Sequence, residues 1–116
     1  PARASPATEA AAVQEEGTQI LAAIPEGAYT IALDISGKAL SSTGLADALK
    51  ALSLSGQNPI IFIIGGDLGL SHEVLVRCTM RLSLSPMTFT HPMARLILVE
   101  QIYRAFRIMS REPYHK

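Results

Sequence analysis

Three segments of this chain carry residue types that can do chemistry. Gly65-Gly66-Asp67-Leu68-Gly69 follows the apolar run Pro59-Ile60-Ile61-Phe62-Ile63-Ile64. Glycines after a strand let a ligand approach the backbone closely, and open α/β sheets bind ligands at that end of their strands. The pattern falls short of a full G-x-G-x-x-G, so a plain glycine turn is the competing interpretation. Leu33-Asp34 ends the preceding strand pattern at the same edge, and a core leucine with a turn-capping aspartate would account for it equally. The second segment, Leu84-Ser85-Pro86-Met87-Thr88-Phe89, is long for a strand-to-helix connection. It mixes apolar bulk with hydroxyls and backbone amides, which suits an adenosine-like ligand with a flat ring and a polar sugar. A loop packed on its own side chains is the alternative. The third is the C-terminus, where Tyr114, His115 and Lys116 stand behind Pro113. These groups donate, accept and, for histidine, titrate near neutrality.

Other chemistries lack their residues. No His/Cys cluster has metal-ligand spacing, so no metal is expected. No Ser-His-Asp or Walker-type pattern is present. Cys78 is the single cysteine. It cannot form an internal disulfide, reads as a small apolar residue, and fits a reducing, cytoplasmic setting. No apolar run reaches the about 18 residues that span a bilayer. The first residues lack the apolar stretch of a secretory signal, so no membrane partner is expected. His91, before Pro92, is read as helix-capping. Glu100 and Arg104, four apart, can pair on a helix surface.

Charge is unevenly spread on a chain whose formal net charge is zero. Residues 1–76 carry three basic and eight acidic groups, and residues 77–116 carry seven basic and two acidic ones. A basic end of this kind fits a polyanion such as RNA, or simply a solvated helix face with ion pairs.

The elements that must position these segments follow from periodicity. Ser5-Pro6 predicts a helix start, and Val13, Ile20 and Ile24 share a face, giving a helix over 6–23 that Gly17 weakens slightly. Tyr29 to Asp34 predicts a strand ended by Ser36-Gly37-Lys38. Ser42 or Thr43 caps a helix with Leu45, Ala48, Leu49 and Leu52 on one face, stopped by Gly56. The run from Pro59 to Ile64 predicts a central strand buried on both faces. Ser71 caps a short helix, Arg81 to Leu84 is a third strand, and a last helix runs from about His91 to Ser110. In that helix Met93, Leu96, Ile97, Ile102, Ala105, Phe106 and Met109 are expected to face the core, with Arg104, Arg107 and Arg111 on another side. The alternation predicts an α/β fold with a narrow parallel sheet and crossover helices, in a single domain over residues 1–116.

The residues also resemble a known family. Ile64-Gly65-Gly66, the stretch from Leu82 to Phe89, His91-Pro92, Arg95, Glu100 to Ala105 and Glu112-Pro113-Tyr114-His115 are similar to the RlmH (YbeA-like) family of SPOUT-class methyltransferases. The likeness extends from about Glu15 to Lys116. It implies an α/β fold with a C-terminal trefoil knot, a homodimer, and S-adenosylmethionine as the methyl donor. The implied reaction is methylation of N3 of a pseudouridine in 23S ribosomal RNA on assembled ribosomes. Carried over position by position, the donor site comprises Leu33, Gly66, Leu84, Ser85, Pro86, Met87, Thr88 and Phe89. His115, Tyr114 and Arg104 become the catalytic candidates: a base or orienting group, a stacking or hydrogen-bonding group, and a cation for the imide or a phosphate. A non-catalytic RNA-binding or ribosome-associated module is the alternative.

Two departures stand out against that family. Its members usually begin with a further strand, helix and strand before the equivalent of Pro1. The sequence as given starts without them, and the narrow sheet and a first residue that is not Met lead to the expectation of more chain before Pro1. The family's last helix usually ends in glycine before Glu-Pro-Tyr-His, whereas Arg111 stands there in this sequence. Arginine tolerates a positive φ poorly, so a different exit angle for the tail is expected.

Overall fold

A computed structural model describes residues 5–111. The order is α1 (Pro6–Ala23), β1 (Tyr29–Ala39), α2 (Ser42–Leu54), β2 (Ile60–Ile63), α3 (His72–Arg77), β3 (Met80–Ser83) and α4 (His91–Met109). The three strands form one sheet in the order β2-β1-β3. β1 runs parallel to both neighbours, with Tyr29 opposite Ile60 and Ala32 opposite Ile63 on one side, and Ile31 opposite Met80 on the other. The predicted α/β class and parallel sheet are therefore found, with one correction of strand order. β2 is not central: it is an edge among the described residues, and only Ile63 in it is buried. Its apolar run predicted a strand but carried no information about which neighbour would take its second side.

The crossovers run in opposite directions across the sheet, from β1 out to β2 and then back past β1 to β3. Right-handed crossovers of opposite direction place their helices on opposite faces. On one face Ile31 and Leu82 pack with Leu45, Ala46 and Leu49 of α2 and Ala105 of α4. Removing each such Leu or Ile from water contributes about 1.5–3 kcal/mol. The other face presents the fully buried Thr30 and Ala32. Thr30 fixes the entry to β3 there, because the Thr79 N–H donates to Thr30 Oγ1 at 3.1 Å and to the Thr30 carbonyl at 2.9 Å.

β1 is longer than its sequence pattern suggests. Ser36-Gly37-Lys38 does not end it; the strand leaves register after Leu33 and pairs again at Lys38 and Ala39, opposite Leu82 and Ser83. The turn-rich residues thus form an irregularity inside the strand, the behaviour of a bulge. The helix caps also shift. Ser41, not Ser42 or Thr43, caps α2 by accepting from Gly44 N–H at 3.0 Å. Thr90 holds the N-cap position of α4, leaving His91 in the first turn. Ser5 and Ser71 cap α1 and α3 as expected, accepting from Thr8 and Val74 N–H.

α4 corrects the expected apolar face. Leu98 and Ala105 are its buried residues, while Met93, Leu96 and Phe106 are exposed. The buried seam turns toward α2, where the Ser42 hydroxyl donates to Gln101 Oε1 at 2.6 Å. The arginines are engaged: Arg104 pairs with Glu100 at 2.9 Å, and Arg107 donates to the Tyr103 hydroxyl with its guanidinium 5.1 Å from that ring centre. Arg111 takes φ 57°, the left-handed conformation that ordinarily follows a helix as glycine. Arg111 itself therefore adopts the conformation a glycine would take there, with the strain carried by an arginine, and the tail whose exit angle was expected to differ lies outside the described residues.

α1 packs on α3 through Gly17, which is buried. A Cβ at that position would collide with Ser71 Oγ and approach Val74 Cγ2 at 3.4 Å. The glycine is thus a close-approach point, more than a weak spot in the helix. Gln14 adds a long contact from its amide to Glu73 Oε1 at 3.5 Å. The Glu73 carboxyl is held below its usual range by its own backbone N–H and then by that amide. Gly17→Val should lower stability by about 2 kcal/mol through overpacking against the α3 cap, read as a reduced urea midpoint. A midpoint equal to wild type would show that the α1–α3 contact yields freely.

Candidate functional site

All three strands are parallel, so their carboxyl ends share one edge, and the chain leaves that edge three times. Within β1, Leu33, Asp34 and Ile35 stand where the strand leaves register with β3. After β2 come Ile64 to Gly69, and after β3 come Leu84 to Thr90. These segments enclose a cavity of about 530 Å3. Its position between the ends of β1 and β3, where connections diverge, is the usual ligand position of an open parallel sheet.

The structure brings Leu33, Gly66, Leu84, Ser85, Met87, Thr88 and Phe89 to the wall of this cavity. Pro86, the remaining donor-site candidate, is exposed and does not line it. The loop is braced internally at the same time. Ser85 Oγ accepts from Met87 N–H at 3.0 Å, and Ser83 Oγ donates to the Ser85 carbonyl at 3.2 Å. Both interpretations of the segment therefore hold together: it is packed on itself and it walls a hollow. Arg104 is not a lining residue. It stands on α4 with Glu100, so the protomer does not join it to the cavity. Tyr114 and His115 lie outside the described residues.

Gly65, Asp67, Leu70, Leu82, His91 and Ala94 also line the cavity, and of these Leu70 and Ala94 carried no signal in the sequence. Gly65 is sterically required: a Cβ there would lie 2.8 Å from the Gly69 carbonyl carbon and 3.0 Å from Leu70 Cδ2. The turn closes on itself through Gly69 N–H donating to the Gly66 carbonyl at 3.0 Å. His91 does more than begin α4. Its Nδ1 is within hydrogen-bonding distance of the Gly65 carbonyl at 2.5 Å. A carbonyl only accepts, so Nδ1 carries the proton and Nε2 is left as the acceptor nitrogen in the neutral ring. This bond ties the start of α4 to the turn after β2 across the cavity.

Behind the turn stands Glu16 of α1. Its Oε1 accepts a long hydrogen bond from Gly66 N–H at 3.5 Å, and a Cβ on Gly66 would lie 3.3 Å from Oε2. Sequence spacing gives no hint of this contact, because the residues are 50 positions apart. Among the described residues no group of His, Cys, Asp and Glu is arranged to hold a metal ion. No described helix is long and apolar enough to cross a membrane. Burial pushes the half-buried Cys78 thiol up from its ordinary value, which makes it a poor nucleophile at neutral pH.

This architecture, a parallel sheet with a ligand-sized hollow at its carboxyl edge, agrees with comparison to known proteins. The family described as "Predicted SPOUT methyltransferase" matches residues 1–115, and the chain belongs to that family. A protein of Alkaliphilus oremlandii named ribosomal RNA large subunit methyltransferase H is 53% identical over 116 residues, covering 100% of this chain and 73% of its own length. A Carboxydothermus hydrogenoformans protein of the same name is 51% identical with the same coverage. A Methanoregula boonei protein, carrying that name in provisional form, is 60% identical over 98% of this chain and 72% of its own length.

The His91 bond yields a direct expectation. His91→Ala leaves the Gly65 carbonyl without its partner and should cost about 1–2 kcal/mol. His91→Asn, whose amide can donate from a similar position, should recover part of that loss in the same denaturation experiment. Equal stability for all three proteins would remove the bond from the site's support.

Proposed function

We propose that this protein methylates N3 of a pseudouridine in 23S ribosomal RNA, on the assembled ribosome, using S-adenosylmethionine held in the cavity described above. The observation that carries the proposal is the convergence of Leu33, Gly66 and the Leu84–Phe89 loop on one hollow in a SPOUT-family chain. The printed names of its relatives supply the substrate class. The lining suits the donor: Leu33, Leu82, Leu84 and Phe89 offer apolar surface, Ser85 and Thr88 offer hydroxyls, and the tight glycine turn exposes backbone. Its volume lies within the about 300–1,000 Å3 of small-molecule sites. We further read residues 1–116 as a single domain working in the cytoplasm, with a trefoil knot in the C-terminal half.

S-adenosylmethionine supplies a methyl group on a positively charged sulfur, whose C–S electron pair stays on sulfur as the N3 electron pair forms the new N–C bond. The protein's task is alignment and removal of the N3 proton. Leu33, Leu84 and Phe89 would hold the flat ring, and the Gly65–Gly69 turn would allow close backbone approach. His115 is assigned the base or the orientation of the base edge, because imidazole titrates near neutrality. Tyr114 would stack on or hydrogen-bond the extruded base. Arg104 would stabilise the imide anion or hold a phosphate.

Since Arg104 does not line the cavity of its own protomer, that role requires the site to be completed across a dimer. The surface of α4 supports a dimer. Leu96, Val99, Tyr103 and Phe106 are all exposed, at alternating spacings of three and four, and Met93 extends the stripe. This is the periodicity of a helix seam that packs against another helix. Arg104 follows Tyr103 of this stripe in the chain.

Two outcomes test the proposal. His115→Ala should lower methyl transfer to ribosomes by about tenfold or more, with donor affinity by calorimetry nearly unchanged. Wild-type turnover would release His115 from its role, and ribosome binding without any transfer by the wild-type protein would favour a non-catalytic module. Replacing Leu96 and Phe106 together by Glu should convert a dimer to a monomer in sedimentation. A wild-type protein that is already monomeric would end the dimer assignment.

A further inference from the structure

The wall of the cavity is electrically one-sided. Asp34 and Asp67 line it, and the Glu16 carboxylate stands directly behind the Gly66 amide. Among the described residues no lysine or arginine lines it, and the ring of His91 spends its Nδ1 proton on the Gly65 carbonyl. Asp34 is half-buried, where a charge is screened less than in open water, and Asp67 is exposed at the rim. A ribose hydroxyl, an adenine amino group or an ammonium can each engage a carboxylate in such a wall. All of these are shared by the donor and the spent ligand; the positive charge on sulfur is not.

We infer that Asp34 and Asp67, with Glu16 behind the glycine turn, make the cavity select by charge, holding the cationic sulfonium donor in preference to the neutral thioether left after transfer. The inference rests on the cavity being the donor site. Losing the methyl group leaves the C–S pair on sulfur, the new N–C bond uses the N3 pair, and the N3 proton departs to a base. The bound ligand therefore loses one positive charge in the step. Adenosine, amine and carboxylate are common to both ligands, so their contacts cancel in the ratio of affinities. What remains is the attraction between the sulfur's charge and the carboxylates around it. Asp34 and Asp67 are specificity-determining residues in this sense: they loosen the spent ligand once the methyl group has gone.

The test is calorimetry with S-adenosylmethionine and S-adenosylhomocysteine on wild-type protein and on Asp34→Asn, Asp67→Asn and the double variant. The wild-type protein should bind the sulfonium more tightly, and raising ionic strength from about 20 to 200 mM should narrow the gap. The double variant should lose about tenfold in sulfonium affinity while thioether affinity changes less than about threefold. The half-buried Asp34 should contribute more than Asp67. Equal losses for both ligands, or a wild-type ratio insensitive to salt, would overturn the inference while leaving the cavity as the donor site. Failure of both ligands to bind the wild-type protein would overturn the donor-site assignment itself, and with it this one. The salt series uses only wild-type protein, so the outcome does not depend on the variants folding.

Discussion

The parallel pairing of β1 with two partners at once is the constraint on which the site depends. Parallel strands have their carboxyl ends on one side, and each must send its chain away across that edge. The exits after Ile63 and Ser83, with the register break of β1 after Leu33, leave a hollow that side chains from the sheet alone do not fill. Every wall residue of the cavity belongs to one of these exits, to the end of β3, or to the first turns of α4. The site is a consequence of strand direction before it is a consequence of any particular side chain.

Holding that edge in shape requires ties that run across it. The His91–Gly65 bond joins α4 to the turn after β2, and Glu16 backs the same turn from α1. Glu16 reaches Gly66 because α1 lies close against α3, and it lies close because residue 17 has no Cβ to hold Ser71 away. A packing detail on one helix thus sets the position of a carboxylate behind a turn of the cavity wall. The same chain of contacts sets Glu16 beside the acidic lining residues Asp34 and Asp67, while Arg104 and Arg107 of α4 are engaged elsewhere.

α4 has two apolar sides and uses them differently. Leu98 and Ala105 go inward, and Leu96, Val99, Tyr103 and Phe106 remain outside. The outer stripe is too regular for scattered surface residues, and the arginines flank it. One side of the helix serves the interior, and the other is the surface on which the proposed dimer rests. Arg111 at its end accepts a left-handed backbone that glycine would take without strain.

Helix caps at Ser5 and Ser71, the apolar run of β2 and the alternation of elements were legible from local chemistry, because caps and periodicity are properties of neighbouring residues. The loop after Ser83 and the glycine turn, both of which wall the cavity, were legible as segments for the same reason, and the family likeness rested on them. Which strand became central was not, since an apolar run is equally at home in the middle or at the edge. Nor was the face that α4 would bury, because both its sides satisfy the same hydrophobic pattern. Glu16, His91 and the shared charge of Asp34 and Asp67 entered the site only through folding. The sequence by itself determined the local elements and the kinds of groups present. Tertiary structure alone decided which of them meet, because contacts between residues 50 apart have no local cause that a pattern of neighbours could record.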